Sequence, residues 1–168
     1  ILDIEEKSGK SGDLIFLTMQ HEIKQQDQAC IREEQNIVYR AAATDSQKTE
    51  VKLAPNDAEF SQAWTPTEAM LFRYSALTFN SHRIHYDVDY TRDHESYPGV
   101  IVHGPLLATL LLDLAVANNR LVNEFTYRAV SPVTLPHSFS TNGKSVGDGT
   151  QLWVANDSGA LAMQADLS

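Results

Sequence analysis

Asn80 and His85 stand five residues apart in Tyr74-Ser75-Ala76-Leu77-Thr78-Phe79-Asn80-Ser81-His82-Arg83-Ile84-His85-Tyr86-Asp87, a stretch too polar for a core. A loop of that length can aim both side chains at one point. Histidine alone has an unperturbed pKa near neutrality, so His85 can take and return a proton without large tuning. Asn80 cannot act as a base, but its amide can hold a water molecule by donating or accepting a hydrogen bond. A second feature is Val102-His103-Gly104-Pro105, immediately before the most apolar run of the chain. Without a Cβ at Gly104 a ligand can approach the backbone, and the first turn of a following helix offers free N–H groups at its positive dipole end. Such a turn stabilises a carbonyl oxygen that gains negative charge by about 3–4 kcal/mol per well-placed donor. The chemistry these residues suit is proton exchange beside a polarised carbonyl.

Spacing alone leaves other uses open. His85 can serve loop hydrogen bonds, and His82 with His85 can ligate a metal, although no third His, Cys or carboxylate is fixed by spacing and no metal is expected. His103 is either a cap-region residue or a wall of a binding site. Gly104 can reflect close helix packing, and Arg83 can meet an anionic ligand group or pair with Asp87 or Asp89. Arg40 and Arg128 end similar strands and are expected to be structural. Trp64 and Trp153 are expected as core or interface anchors.

The elements that must position these residues follow from periodicity. Residues 12–41 carry β-favouring stretches, with Leu14, Phe16 and Ile37-Val38-Tyr39 on either side of the polar Lys24-Gln25-Gln26-Asp27-Gln28, and predict a long hairpin. Residues 42–63 lose periodicity and are expected to be a linker. Thr65-Pro66-Thr67-Glu68 signals a helix start, followed by Met70, Leu71, Tyr74 and Leu77 at helical spacing. A short helix is expected over 87–93, a turn at Tyr97-Pro98-Gly99 and an extended piece at Val100-Ile101-Val102. Gly104-Pro105 then opens a buried helix with the stripe Leu106, Leu107, Leu110, Leu111 and Leu114, with Asp113 on a polar face or at an interface. Strands are expected over 125–131, 138–146, 151–156 and 160–167, punctuated by Asn142-Gly143, Gly147-Asp148-Gly149 and Asp157-Ser158-Gly159. One apolar helix followed by several antiparallel strands predicts a sheet wrapped round that helix. The division expected is 1–41, a strand portion of an incomplete first unit; 42–63, the linker; and 64–168, the unit with the chemistry.

The 168 residues include 22 acidic and 13 basic side chains, a formal charge of −9, with 42% hydrophobic residues. That charge repels nucleic-acid phosphates and anionic membrane surfaces, so neither is expected as a partner. Cys30 is the single cysteine, which rules out an internal disulfide and suits a reducing compartment. The run from Leu106 to Ala117, broken by Thr109 and Asp113, is shorter than the roughly 20 residues of a membrane span. The chain begins Ile-Leu-Asp without a methionine, and a missing upstream segment is expected.

The stretch from Tyr74 to Asp87 resembles the hydratase motif of the MaoC-like family of (R)-specific enoyl-CoA hydratases. In that pattern Tyr74 takes the aromatic place and Thr78 the hydroxyl, Asn80 falls where the catalytic Asp stands, and His85 falls at the catalytic His. Val102-His103-Gly104 is similar to the segment that opens the family's central helix. Phe79 replaces a Gly and Asn80 the Asp, and these departures resemble HTD2-type dehydratases and the mesaconyl-C4-CoA or itaconyl-CoA hydratases. Tyr-Pro-Gly, Val-His-Gly-Pro-Leu-Leu-Ala, Tyr-Arg-Ala-Val-Ser-Pro and Leu-Trp-Val-Ala-Asn fit that subgroup too. The likeness covers nearly all of 64–168 and, more weakly, 8–41.

The resemblance implies an α+β hot-dog fold, here the second half of a double hot dog whose first half is incomplete. It implies a hydro-lyase that hydrates a 2-enoyl thioester or dehydrates a 3-hydroxyacyl thioester. His85 would activate water, Asn80 would position it and the Gly104 amide would polarise the thioester, with Tyr74, Thr78, Phe79, Arg83, Tyr97, Val102 and His103 contacting substrate. With no carboxylate at position 80, one imidazole is left with both proton movements. No cofactor is expected beyond coenzyme A or an acyl carrier protein as the substrate's own carrier. A homodimer is expected, in the cytoplasm of a bacterium or the mitochondrial matrix of a eukaryote. The alternatives are a hot-dog thioesterase, which needs a carboxylate near the thioester, and a non-catalytic acyl-thioester-binding subunit.

Overall fold

The computed structural model describes residues 1–9, 12–40 and 51–168, and the chain divides into two compact units, Ile1–Thr49 and Glu50–Ser168. In the first unit, β1 (Asp3–Gly9), β2 (Gly12–Gln25) and β3 (Gln28–Arg40) form an antiparallel sheet in that order. The expected hairpin is β2 and β3. Its turn is Gln26-Asp27, both at positive φ, as a two-residue connection between right-twisted strands requires. The strand β1 was not foreseen, because Asp3-Ile4-Glu5-Glu6-Lys7 has too little apolar alternation to signal one. Ile4, Ile15, Ile23, Ile31 and Tyr39 remain exposed on this sheet. The side chain of Arg40, residue 41 and the first part of the expected linker, residues 42–50, lie outside the described residues.

The second unit is a five-stranded antiparallel sheet with an apolar helix against it. Its strands are β4 (Phe60–Trp64), β5 (Phe125–Ala129), β6 (Phe139–Val146), β7 (Gly149–Asn156) and β8 (Leu161–Leu167), in the order β4-β6-β7-β8-β5. The helix, α3 (Gly104–Ala117), buries Leu106, Leu107, Leu110, Leu111 and Leu114 and leaves Thr109 and Asp113 outside. Against it lie Phe139, Leu152, Val154, Met163, Ala165 and Leu167 from the sheet. Each such leucine contributes about 1.5–3 kcal/mol by leaving water. This is the sheet-and-helix arrangement that the family resemblance implies. Among the described residues no helix is long and apolar enough to cross a membrane.

Two shorter helices precede α3. In α1 (Glu68–Thr78) the Thr67 hydroxyl caps the Met70 amide at 3.2 Å, and Leu71 packs into the core. In α2 (Val88–Asp93) Asp87 caps the Tyr90 amide at 2.9 Å.

The expected linker does not run to residue 63. Phe60–Trp64 pairs with β6 from Phe60↔Gly143 to Trp64↔Phe139, and the Trp64 indole N–H donates to Thr141 Oγ1 at 3.0 Å. Only the two ends of this edge strand are partly buried, so no alternation shows in its sequence. Nor is Asn142-Gly143 a turn. Both residues lie inside β6, where a Cβ on Gly143 would meet the Phe60 ring at 2.3 Å and Leu152 Cδ2 at 2.8 Å. The glycine is there for the close approach of a neighbouring ring.

Because Leu111 is 0% exposed at the centre of this core, Leu111→Ala is expected to cost about 2–5 kcal/mol. Urea unfolding would show a lower midpoint with little change in slope.

Candidate active site

The loop after α1 is built by a left-handed stop. Phe79, at φ 53°, turns the chain, and the Asn80 amide donates back to Ser75 O at 2.9 Å. A left-handed non-glycine residue costs about 1–2 kcal/mol, offset here by the helix-end hydrogen bonds. Phe79 is left 94% exposed. Asn80 Oδ1 then accepts from the His82 amide at 3.0 Å, an Asx turn that leads into one 3₁₀ turn, Arg83–His85. The oxygen of Asn80 is thus engaged by the loop, and its NH₂ is the part able to hold a water.

His85 arrives at the end of that turn 8% exposed, with Nδ1 2.8 Å from Ile101 O. A carbonyl only accepts, so Nδ1 carries the hydrogen and Nε2 keeps its lone pair. The backbone repeats the tie, the Ile101 amide donating to Ile84 O at 2.8 Å. Ile101 is itself held from the other side, because Leu135 N donates to Val100 O and Val102 N to Val133 O. Burial pushes the His85 pKa below the ordinary histidine value and the His82 ring at its edge adds to this, while the Ile101 carbonyl pulls the other way. The imidazole is therefore neutral at pH 7, the form a general base needs.

His103 lies flat against His85, ring centroids 3.6 Å apart and planes 15° off parallel. Its Nε2 shares a 2.8 Å hydrogen bond with Ser75 Oγ, and the Tyr74 ring meets it edge-on at 4.9 Å. It is 0% exposed, and burial, followed by the nearby His85, pulls its pKa down to about 4. The next residue, Gly104, opens α3 with Pro105 behind it and no side-chain cap from His103. A Cβ built on Gly104 would meet nothing within 4 Å, and its φ lies outside the left-handed region. Neither packing nor backbone strain asks for glycine here. The open space in front of the helix's first turn is what a ligand's carbonyl would use.

The structure thus brings His85, His103, Tyr74 and the Gly104 turn together, with Asn80 bonded into the same loop. Four other residues expected as substrate contacts stand as follows. Val102 is 2% exposed in the core beneath the sheet. The Thr78 hydroxyl donates to Tyr74 O within its own helix. Arg83 is held by Asp87 Oδ2 at 2.7 Å and lies 4.2 Å over the Tyr90 ring, which joins the 3₁₀ turn to α2. Tyr97 is half-buried in the turn after α2, its amide bonded to Thr91 O. His82 lies 4.0 Å from Glu95, and among the described residues no three His, Cys, Asp or Glu side chains converge as metal ligands. Two surface hollows of about 250 and 260 Å³, near Arg120 and near His137, are lined by none of His85, His103, Tyr74 and Gly104.

Ser75 and the Ile101 carbonyl were not singled out from sequence. Ser75 carried a signal, a polar residue four after the buried Leu71 on the inward stripe of a helix. A backbone carbonyl carries none.

The family model for hydroxyacyl-thioester dehydratase type 2 matches residues 2–135. The chain is 41% identical over 169 residues to the mesaconyl-C(4)-CoA hydratase of Chloroflexus aurantiacus, covering 99% of this chain and 60% of that protein. It is 34% identical over 113 residues to the mitochondrial hydroxyacyl-thioester dehydratase type 2 of Schizosaccharomyces pombe, covering 64% of this chain and 37% of that protein. The chain therefore spans between about a third and three-fifths of the length of these relatives. A MaoC-like dehydratase from Phytophthora capsici superposes with a TM-score of 0.71 at 12% identity, covering 98% of this chain and 61% of that one. At that identity the likeness speaks for the fold, which is a hot dog.

The unfolded chain takes up a proton near the ordinary histidine pKa of about 6.5, whereas folded His103 resists until about 4. Stability is therefore lost as pH falls through that interval, and the depressed His85 pKa acts in the same direction. Urea midpoints are expected to fall between pH 7 and pH 4, and less steeply in His103→Phe, which cannot titrate; parallel declines would assign the acid loss to other groups.

Proposed function

The chain belongs to the hydroxyacyl-thioester dehydratase type 2 family, and from that premise we propose that it is a hydro-lyase adding water to a 2-enoyl thioester, or removing it from a 3-hydroxyacyl thioester. The observation that carries this is the bond from His85 Nδ1 to Ile101 O, which leaves Nε2 basic on a ring stacked against His103, the residue before the turn that opens α3. The thioester oxygen lies against the Gly104 amide, where the helix dipole and the free N–H favour the negative charge that builds as water attacks C3. His85 Nε2 takes the proton of that water, and the imidazolium then returns it to C2, so that one H and one OH are added across the double bond. Dehydration runs the same steps backwards. Asn80 carries no acidic proton, and with its oxygen tied to His82 its NH₂ steadies the water.

Coenzyme A or an acyl carrier protein carries the acyl group, and no cofactor takes part. A small dicarboxylic acyl group of the mesaconyl or itaconyl kind is the first substrate to try, given the 41% identity to a mesaconyl-C(4)-CoA hydratase. The first unit's sheet is read as part of a second hot dog, and the assembly as a homodimer. The compartment is the bacterial cytoplasm or the mitochondrial matrix, according to source.

The test is loss of enoyl absorbance across crotonyl-, mesaconyl-, itaconyl- and longer enoyl-CoA esters, with free thiol followed in parallel. Hydration without thiol release is expected, whereas thiol release would favour a thioesterase and tight binding without turnover a non-catalytic subunit. His85→Ala is expected to lower kcat by roughly 10²–10⁴-fold, and a rate like that of the unaltered protein would remove His85 from the chemistry. Gly104→Ala is expected to fold with undiminished stability, since its Cβ meets open space, and to lose about tenfold or more in kcat/KM. Asn80→Ala is expected to lower kcat more than it weakens binding.

A further inference from the structure

We propose that His103 is a positioning residue for His85: anchored on Ser75 and hidden from solvent, its ring is the platform against which the His85 imidazole is pressed, so that one rotamer presents Nε2. This rests on the assignment of His85 as the acid/base. A side chain with no accessible surface is not placed to touch a ligand, and at 0% exposure His103 lies behind the reacting ring and not beside the substrate.

The contact is tight. Its centroids are 3.6 Å apart, closer than the 4.5–7 Å common for aromatic pairs, and its planes are within 15° of parallel. With Nδ1 bound to Ile101 O at one edge and His103 across one face, the His85 ring can neither flip nor tilt without breaking a hydrogen bond or opening a gap. His103 cannot drift either, because Ser75 Oγ holds its Nε2 at 2.8 Å and Tyr74 closes on its edge.

The same geometry decides where the proton goes. Facing His85 are His103 across the stack and His82 at its edge; facing His103 are Ser75 and Tyr74. Two imidazolium rings in face contact repel, so the pair holds one proton at a time. His103 Nδ1 is buried without a partner, which makes a charge on that ring costly. The proton therefore resides on His85, where a cation over the face of a neutral aromatic ring is attracted.

The experiment compares the whole chain with His103→Ala, His103→Phe and Ser75→Ala, measuring kcat and KM and following the His85 ring by NMR through a pH titration. His103→Ala removes the platform and admits water. It is expected to lose roughly tenfold to hundredfold in kcat with KM within about twofold, while the His85 titration midpoint moves up towards the ordinary histidine value. His103→Phe keeps a neutral flat ring without the Ser75 bond and is expected to lie between the unaltered protein and His103→Ala in both readouts. Ser75→Ala, which loosens the ring without removing it, should fall between the two and serves if His103→Ala does not fold. A rise in KM at constant kcat would make His103 a substrate contact, and an unmoved His85 midpoint in folded His103→Ala and Ser75→Ala would overturn the platform. If the unaltered protein hydrates nothing on the panel, the NMR shift still decides this inference, and the failure belongs to the proposed reaction alone.

Discussion

Helix α3 offers water only the strip of Pro105, Thr109, Asp113, Val116 and Ala117, and the second unit is arranged to bury its apolar remainder. Leu106, Leu107, Leu110, Leu111 and Leu114 of α3 are covered by the sheet and its flanking segments, which fixes where the helix begins as well as where it lies. The residues at that beginning, His103 and Gly104, inherit a position set by core packing. Residues 100–102, which lead into it, are bonded to Val133 and Leu135. A loop that docks on Ile101 therefore docks on the core, and this is how a short polar segment between two helices can hold an imidazole still.

The site that results is poor in charge. Two stacked imidazoles are both kept neutral by burial, and the side chain at position 80 is an amide. The strongest local field is then that of the helix N-terminus, which favours negative charge on whatever lies before Gly104. Such a place suits a reaction whose charge appears on a carbonyl oxygen and disappears again within one turnover. The acid groups nearby are otherwise engaged, Asp87 capping α2 and holding Arg83, and Glu95 accepting from the Tyr90 hydroxyl at 3.2 Å.

Much of this was legible in the sequence because it depends on local rules. The helix start over residues 65–68, the hairpin broken at the polar run 24–28, the leucine stripe after Gly104-Pro105 and the placement of His85 before a short helix each follow from a few neighbouring residues. What was not legible depends on partners distant along the chain. Ser75 is tied to His103 across 28 residues, and Gly143 owes its identity to Phe60, so it looked like a turn. Arg83 shows a different limit: from type and spacing a ligand anion and Asp87 are equally good partners, and only the 2.7 Å contact decides. His103 resembled a binding-site wall because it adjoins the glycine, and its ring lies buried and stacked on His85.

Anyone wishing to cut this chain into separately expressed pieces would be misled by the change of texture at Trp64. A fragment starting there lacks β4 and leaves the whole hydrogen-bonding rim of β6 bare, an invitation to pair with another molecule. It also forfeits the stitches upstream, where Leu161 N donates to Lys52 O, Ala54 N to Gly159 O and Glu59 N to Gly143 O. The scissors belong before Val51, so that the second unit keeps its own selvedge.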